Sequence, residues 1–129
     1  MTAISCLLIG ESCIGKTTYL TSIGQYIGSF KGFQFPLYKV AYQNVIYHII
    51  ESNWEKPPHG VDVIFWMFNE SIKNQQEIFN HIRSNWPNLP LILLQKKNIP
   101  IPLLIRDKMT AVADINIDKM SPFLIHQSL

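Results

Sequence analysis

The chain is poor in the residues that mark several large classes of protein. It has two cysteines, Cys6 and Cys13, too few for a disulfide framework or a cysteine-rich zinc site, which favours a reducing, cytoplasmic setting. Charged residues make up 16% of the chain and the net charge is +2, too little to indicate a nucleic-acid partner. No apolar run approaches the roughly 20 residues that span a bilayer. The final letters, HQSL, offer no cysteine for prenylation, so we expect no membrane anchor.

The sequence does contain short apolar segments that alternate with amphipathic ones. Apolar runs that end at glycine or at polar residues predict buried strands over 4–9, 61–68 and 90–94. The segment LYKVAYQNVIYHII predicts a hairpin that turns at Tyr42-Gln43-Asn44, and 109–115 predicts a weak last strand. Glycine and proline in SFKGFQFP, residues 29–36, indicate a loop.

Three segments have the spacing of helices. Apolar residues recur at helical intervals over 17–27, and Gly28 offers a stop. A second helix is predicted over 69–86, and a short final helix has Pro122 near its first turn. Strands that alternate with helices favour an α/β fold, a sheet covered by helices on both faces. We expect a mostly parallel sheet to which the hairpin adds one antiparallel edge strand.

A phosphate-binding loop follows the first predicted strand. The stretch GESCIGKT fits G-x-x-x-x-G-K-[ST], with a strand before it and a helix after it, as this loop requires. Backbone N–H groups of such a loop surround a phosphate, the lysine reaches the β- and γ-phosphates, and the hydroxyl ligates Mg²⁺. The predicted nucleotide-binding residues here are Gly10, Glu11, Ser12, Cys13, Ile14, Gly15, Lys16, Thr17 and Thr18.

The stretch GESCIGKTTYL resembles the first motif of the Ras superfamily of small GTPases, particularly its Rab-like members. LYKVAYQNVIYHIIESNWE resembles the hairpin that leads into their D-T-A-G-Q motif, and LPLILLQKKNI resembles the strand that ends in N-K-x-D. VADINIDKMSPFLI resembles the S-A-K segment and last helix. The resemblance implies a single P-loop NTPase domain with a three-layer fold over residues 1–129.

The resemblance also implies a ligand set. GDP or GTP would bind with Mg²⁺, which Thr17 and Glu51 would hold. Gln95, Lys96 and Asn98 would stand at the base, with Ala113 as the S-A-K alanine. Lys16 and Glu55 are the candidate catalytic residues, and protein effectors or regulators would contact the loops 29–37 and 52–60.

Several positions depart from the family pattern. The loop IGSFKGFQFPL has no threonine to close on Mg²⁺, and Ser29 is the nearest chemical substitute. Trp54 and Glu55 replace a glycine and the water-orienting glutamine. Asn98 replaces an aspartate, and an amide has one acceptor oxygen where a carboxylate accepts both guanine donors. We therefore expect weakened guanine preference and slow hydrolysis.

Three functions fit these residues. One is a guanine-nucleotide switch with slow GTP hydrolysis, and another is a pseudo-GTPase that uses the fold as a constant surface for protein binding. The third is a small P-loop kinase, which we rank last. Its lid would need arginines, and Arg83 and Arg106 are the only arginines in the chain.

Overall fold

The computed structural model describes residues 2–10, 14–30, 35–52, 60–68, 75–96, 101, 105 and 109–129. Its strands are β1 (Thr2–Ile9), β2 (Gln25–Phe30), β3 (Phe35–Tyr42), β4 (Val45–Ser52), β5 (Val63–Met67), β6 (Leu91–Gln95) and β7 (Ala111–Asp114). Its helices are α1 (Lys16–Ile23), α2 (Gln75–Asn85) and α3 (Ser121–Gln127).

One seven-stranded sheet organises these elements in the order β2-β3-β4-β1-β5-β6-β7. Neighbours are parallel from β4 to β7, whereas β3 runs antiparallel to both β2 and β4. The predicted α/β class with a mostly parallel sheet is therefore confirmed. The antiparallel strand does not form the edge, because β2 pairs along its outer side.

Apolar side chains of the central strands cover both faces of the sheet. Tyr19 and Leu20 of α1 and Phe123 of α3 pack on one face, in a core that includes Leu8, Tyr47 and Phe65. The other face buries Ile78, Phe79 and Ile82 of α2 against β1, β5 and β6. Both faces of β5 and β6 are buried, which explains why these strands are apolar at every position rather than at alternate ones.

The β3–β4 hairpin turns where the sequence predicts. Gln43 and Asn44 have φ angles of 46° and 66°, and Tyr42 pairs with Val45. Two consecutive left-handed residues make the type of turn that matches the twist of paired strands. Asparagine tolerates this conformation better than most residues, because its short polar side chain can hydrogen-bond locally.

The first helix is shorter than its sequence pattern predicts, and the prediction of a helix over 17–27 is wrong. The helix ends at Ile23, and the chain then enters β2, which pairs with β3 from Gln25 to Phe30. The prediction of a loop at 29–36 also fails where the structure describes it, since Ser29 pairs with Pro36. The Tyr26 ring packs against Tyr38 at 5.6 Å, a cross-strand contact that helical spacing does not reveal.

The later elements agree with the sequence pattern. Helix α2 buries Ile78, Phe79 and Ile82 at helical spacing, and Trp86 is buried directly after it. Trp66 lies in the core as a residue of β5. Strand β7 and helix α3 form, with Pro122 in the first turn of α3. The first part of the predicted second helix, residues 69–74, lies outside the described residues. Among the described residues, the helices are too short or too polar to cross a lipid bilayer.

Candidate functional site

The candidate site lies at the carboxyl ends of the parallel strands. Gly10 follows β1, Glu51 and Ser52 end β4, and Lys96 follows β6. The register of β1 and β4 pairs Ile9 with Ser52, so these ends lie side by side. This edge is where open α/β sheets bind their ligands, because the strand ends and the helix N-termini converge there.

The Lys16 ammonium is held between two strand ends. It donates hydrogen bonds to the carbonyl oxygens of Gly10 and of Ser52, the latter at 2.8 Å. Burial lowers the pKa of Lys16, and the nearby Glu51 carboxylate offsets part of that effect. The ammonium is therefore fixed at the start of α1, where backbone N–H groups without helical partners also favour an anion.

Thr17 and Glu51 meet beside this lysine. The Thr17 hydroxyl donates to the Glu51 carboxylate across 2.7 Å, although 34 positions separate them in the chain. A hydroxyl and a carboxylate in contact are a donor set that fits Mg²⁺, which takes oxygen ligands and keeps several waters. The pair predicted to hold the metal is thus brought together at the phosphate loop.

Lys96, which follows β6, contacts the phosphate loop. Its ammonium donates to the carbonyl of Ile14, and a Cβ added at Gly15 would lie 2.6 Å from its Nζ atom. Gly15 has a φ of 106°, a left-handed conformation that favours glycine, and the Lys96 ammonium fills the space beside its Cα. The β6 end is in this way tied to the start of α1.

A pocket of about 280 Å³ opens beside Gly15 and Lys96. Helix α1 contributes Thr18, Tyr19 and Ser22 to its wall. The turn after β7 supplies the opposite wall through Ile115, Asn116 and Lys119. Tyr19 joins the two walls, because its hydroxyl donates to the Lys119 carbonyl. The pocket adjoins the phosphate loop, as a base or ribose site of a bound nucleotide would.

Several pocket residues were not identified from the sequence. Tyr19, Ser22, Ile115, Asn116 and Lys119 line the pocket but belong to no phosphate-loop or base motif. The sequence signal available for the turn was Asp-x-Asn at the end of the predicted last strand, because an aspartate side chain often accepts from the backbone N–H two residues on. No sequence pattern within either segment predicts the contact of α1 with this turn.

Ala113 does not line this pocket. It lies in β7 opposite Leu94 and is buried in the core. The residues from this segment that reach the pocket are Ile115 and Asn116, which follow the strand. The register of β7 on β6 decides this, since it pairs Asp114 with Gln95 and puts Ala113 within the ladder.

The remaining predicted residues divide into two groups. Gln95 is buried at the end of β6, and its carbonyl accepts the N–H of Ile115. Ser29 lies in β2 with its hydroxyl 3.4 Å from that of Tyr26. The other group lies outside the described residues and comprises Glu11, Ser12, Cys13, Trp54, Glu55 and Asn98.

The predicted contact loops are partly strand. Residues 29, 30 and 35–37 of the first loop belong to β2 and β3, and residue 52 of the second ends β4. Within the first loop, 31–34 lie outside the described residues, as do 53–59 within the second. The described residues of the first loop thus belong to paired strands.

Comparison with known proteins identifies the architecture. No protein-family model and no curated protein matches the sequence. The structure is similar to the G domain of the FeoB iron transporter of T. maritima, with a TM-score of 0.54, 11% identity and coverage of 71% of this chain and 72% of that one. At this identity the likeness concerns the fold alone. The chain has the fold of a P-loop GTPase G domain.

Proposed function

We propose that this protein binds GDP and GTP with Mg²⁺, in the manner of Ras-like small GTPases. The observation that most supports the proposal is the contact of Thr17 with Glu51, directly beside the Lys16 ammonium. Two residues of the phosphate loop and one from the end of a distant strand thus form a cationic and oxygen-rich site, as a nucleotide–metal complex requires.

Each part of the site has a role in this proposal. Lys16 and the N-terminus of α1 bind the phosphates, and Lys96 holds the loop through Ile14. Thr17 and Glu51 hold Mg²⁺, which when bound neutralises charge on the phosphate oxygens. The base enters the pocket between α1 and the turn after β7, close to Lys96.

Hydrolysis is expected to be slow. Glu55 stands where Ras-like proteins have the glutamine that orients water, and a carboxylate repels the γ-phosphate rather than positioning a nucleophile. We propose a binding protein that changes partners with nucleotide state, through the segments 29–37 and 52–60, rather than an efficient hydrolase.

Calorimetry tests the proposal. Nucleotide-free protein is titrated with GDP, GTP, ADP and ATP in the presence of Mg²⁺, together with Lys16→Ala. We expect the variant to lose about tenfold or more in affinity, because a charge-assisted contact to phosphate is removed. Lys39→Ala, an exposed lysine of β3, is the matched control and should bind as the parent does. Absence of binding by all four nucleotides at high micromolar concentrations would contradict the proposal.

A second function is favoured by one observation. Residues 25–30 pair with β3, with one register shift between Tyr26 and Gly28, so much of the segment between α1 and the hairpin is a strand rather than a loop. This arrangement suits a pseudo-GTPase, in which the β2–β3 ribbon is a constant binding surface. It predicts that hydrogen exchange of β2 amides is the same with GDP and with a non-hydrolysable GTP analogue. Faster exchange of these amides with either nucleotide would favour the switch.

A further inference from the structure

The backbone N–H groups of the turn after β7 already donate hydrogen bonds within the protein. The N–H of Ile115 donates to the Gln95 carbonyl at 3.0 Å. Asp114 then accepts from both Asn116 and Ile117 through one carboxylate oxygen, at 2.9 and 3.2 Å. The next N–H, of Asp118, donates to the Asp114 carbonyl at 3.2 Å. Four consecutive backbone N–H groups are therefore unavailable to a ligand in the adjoining pocket.

Asn116 is the neutral polar residue that this turn contributes to the pocket, beside the cation Lys119. Asn116 lines the pocket and is exposed, while its own N–H is held by Asp114. A side-chain amide has a carbonyl acceptor and an NH₂ donor, and its terminal torsion is broad. It can therefore present either group to a ligand, whereas the four committed backbone N–H groups cannot donate to one.

The described pocket wall favours neither purine. Its charged residues are the two cations Lys96 and Lys119, and no carboxylate is among the described lining residues. A carboxylate would select guanine, because it accepts from both the N1–H and the 2-amino group. An amide pairs equally well with the O6 and N1–H of guanine or, after a half-turn, with the 6-amino group and N1 of adenine.

We infer that Asn116 reads the edge of the base and that the pocket accepts 6-oxo and 6-amino purine nucleotides alike. The inference rests on the proposed nucleotide binding and concerns the selectivity of that same pocket. Tyr19 and Ile115 provide apolar surface for the flat faces of either ring. Asp114 acts as a positioning residue, because it holds the turn from which the Asn116 side chain projects.

Paired titrations with GDP and ADP, each with Mg²⁺, test the inference on the parent chain and on Asn116→Asp. The parent should bind the two nucleotides within about tenfold of each other. The variant should shift the affinity ratio toward GDP by at least roughly tenfold, because its carboxylate accepts both guanine donors and cannot donate to adenine N1. Asn88→Asp, an exposed position in the connection from α2 to β6, is the matched control and should leave the ratio unchanged.

A second single variant, Asn116→Ala, should weaken the binding of GDP and of ADP by a similar factor. Inorganic pyrophosphate distinguishes failure of the base inference from failure of nucleotide binding, because it occupies the phosphate site without a base. Asn116→Asp and Asn116→Ala should both bind pyrophosphate as the parent does. A parent preference beyond about tenfold, or a smaller shift in Asn116→Asp, overturns the inference while nucleotide binding stands. If neither the nucleotides nor pyrophosphate bind, the proposed function fails as well.

Discussion

At the scale of the residue, the site depends on a few side chains that come from distant positions. Glu51 comes from the end of β4, and its carboxylate accepts directly from Thr17 of α1. The Lys16 ammonium contacts two carbonyls rather than a carboxylate. In the proposed function, the Lys16 cation serves the phosphates and the Glu51 anion serves the metal, and the two roles can be tested separately.

Glu51→Gln should reduce the contribution of Mg²⁺ to nucleotide binding. The amide keeps the size of the side chain but removes the charge that attracts the ion, and losses of about 10- to 100-fold in metal affinity are typical when such support is removed. The measurement is the GDP affinity with Mg²⁺ and with a chelator. Glu77→Gln, at an exposed site in the first turn of α2, is the control. An unchanged ratio between the two conditions would show that Glu51 does not act on the metal.

At the scale of the element, a single glycine allows α1 to turn into β2. A Cβ added at Gly24 would lie 2.6 Å from both the Lys39 carbonyl oxygen and the Val40 Cγ2 atom. The backbone of Gly24 is extended, so space rather than conformation requires glycine. This turn lets β2 approach β3 closely enough to pair with it. The pairing is found where the sequence predicts a last helical turn and a loop.

Gly24→Ala should destabilise the protein by about 1–3 kcal/mol, because the added methyl group must displace backbone of β3. Urea unfolding followed by circular dichroism measures the loss. Gly28→Ala is the comparison, because it introduces backbone strain without crowding. Gly28 has a φ of 139°, and nothing lies within 4 Å of an added Cβ. If Gly24→Ala unfolds at the same urea concentration as the parent, the β2–β3 approach is looser than the structure indicates.

Helix α3 is attached to the hairpin by polar contacts as well as by Phe123. The Tyr47 hydroxyl lies 2.9 Å from His126 Nδ1, and the Gln127 amide donates to the Tyr42 carbonyl at 3.0 Å. Burial lowers the pKa of His126, and Asp62 partly offsets this shift. The folded state therefore prefers the neutral imidazole.

The free energy of unfolding should fall as the pH drops below about 6.5, the ordinary value for histidine. The unfolded chain takes up the proton first, since its pKa is the higher one, and the loss ends once the pH is below the pKa of His126 in the folded state. His126→Gln should flatten this part of the stability profile, measured by urea unfolding between pH 5 and pH 8. His48→Gln, on β4, is the comparison. A slope that survives in His126→Gln would assign the effect to other groups.

At the scale of the whole molecule, the ligand site and the sheet depend on each other. The proposed site draws on the ends of β1, β4 and β6 and on the turn after β7, so a bound nucleotide would contact segments that are far apart in the chain. A ligand that binds only this assembled form stabilises all of it by mass action.

GDP with Mg²⁺ at about 100 times its dissociation constant should add roughly 2.7 kcal/mol to the free energy of unfolding. For a chain of this size, that corresponds to a rise in Tm on the order of 10 °C. Thermal denaturation with and without nucleotide measures it, and Lys16→Ala, about tenfold weaker in affinity, should roughly halve the rise at the same nucleotide concentration. A rise of the same size in the variant would place the binding elsewhere on the protein.

The sequence by itself determined the features that depend on near neighbours along the chain. Apolar runs gave β1, β5 and β6, the apolar stripe of α2 gave its buried face, and Gln43-Asn44 gave the hairpin turn. The phosphate loop was also recognisable, because strand, glycines, lysine and hydroxyl follow one another within a short stretch. These patterns predict the structure correctly because spacing along the chain decides which face of an element is apolar.

Only the tertiary structure decided what meets across the sheet. It brought Glu51 to Thr17, laid Lys96 over Gly15, placed Asn116 rather than Ala113 at the pocket, and made 25–30 a strand of the sheet instead of a helical turn. Each of these outcomes depends on register between strands or on the approach of distant backbones. The free energy of such pairings comes from burial and hydrogen bonds to a partner, and spacing along one segment does not identify that partner.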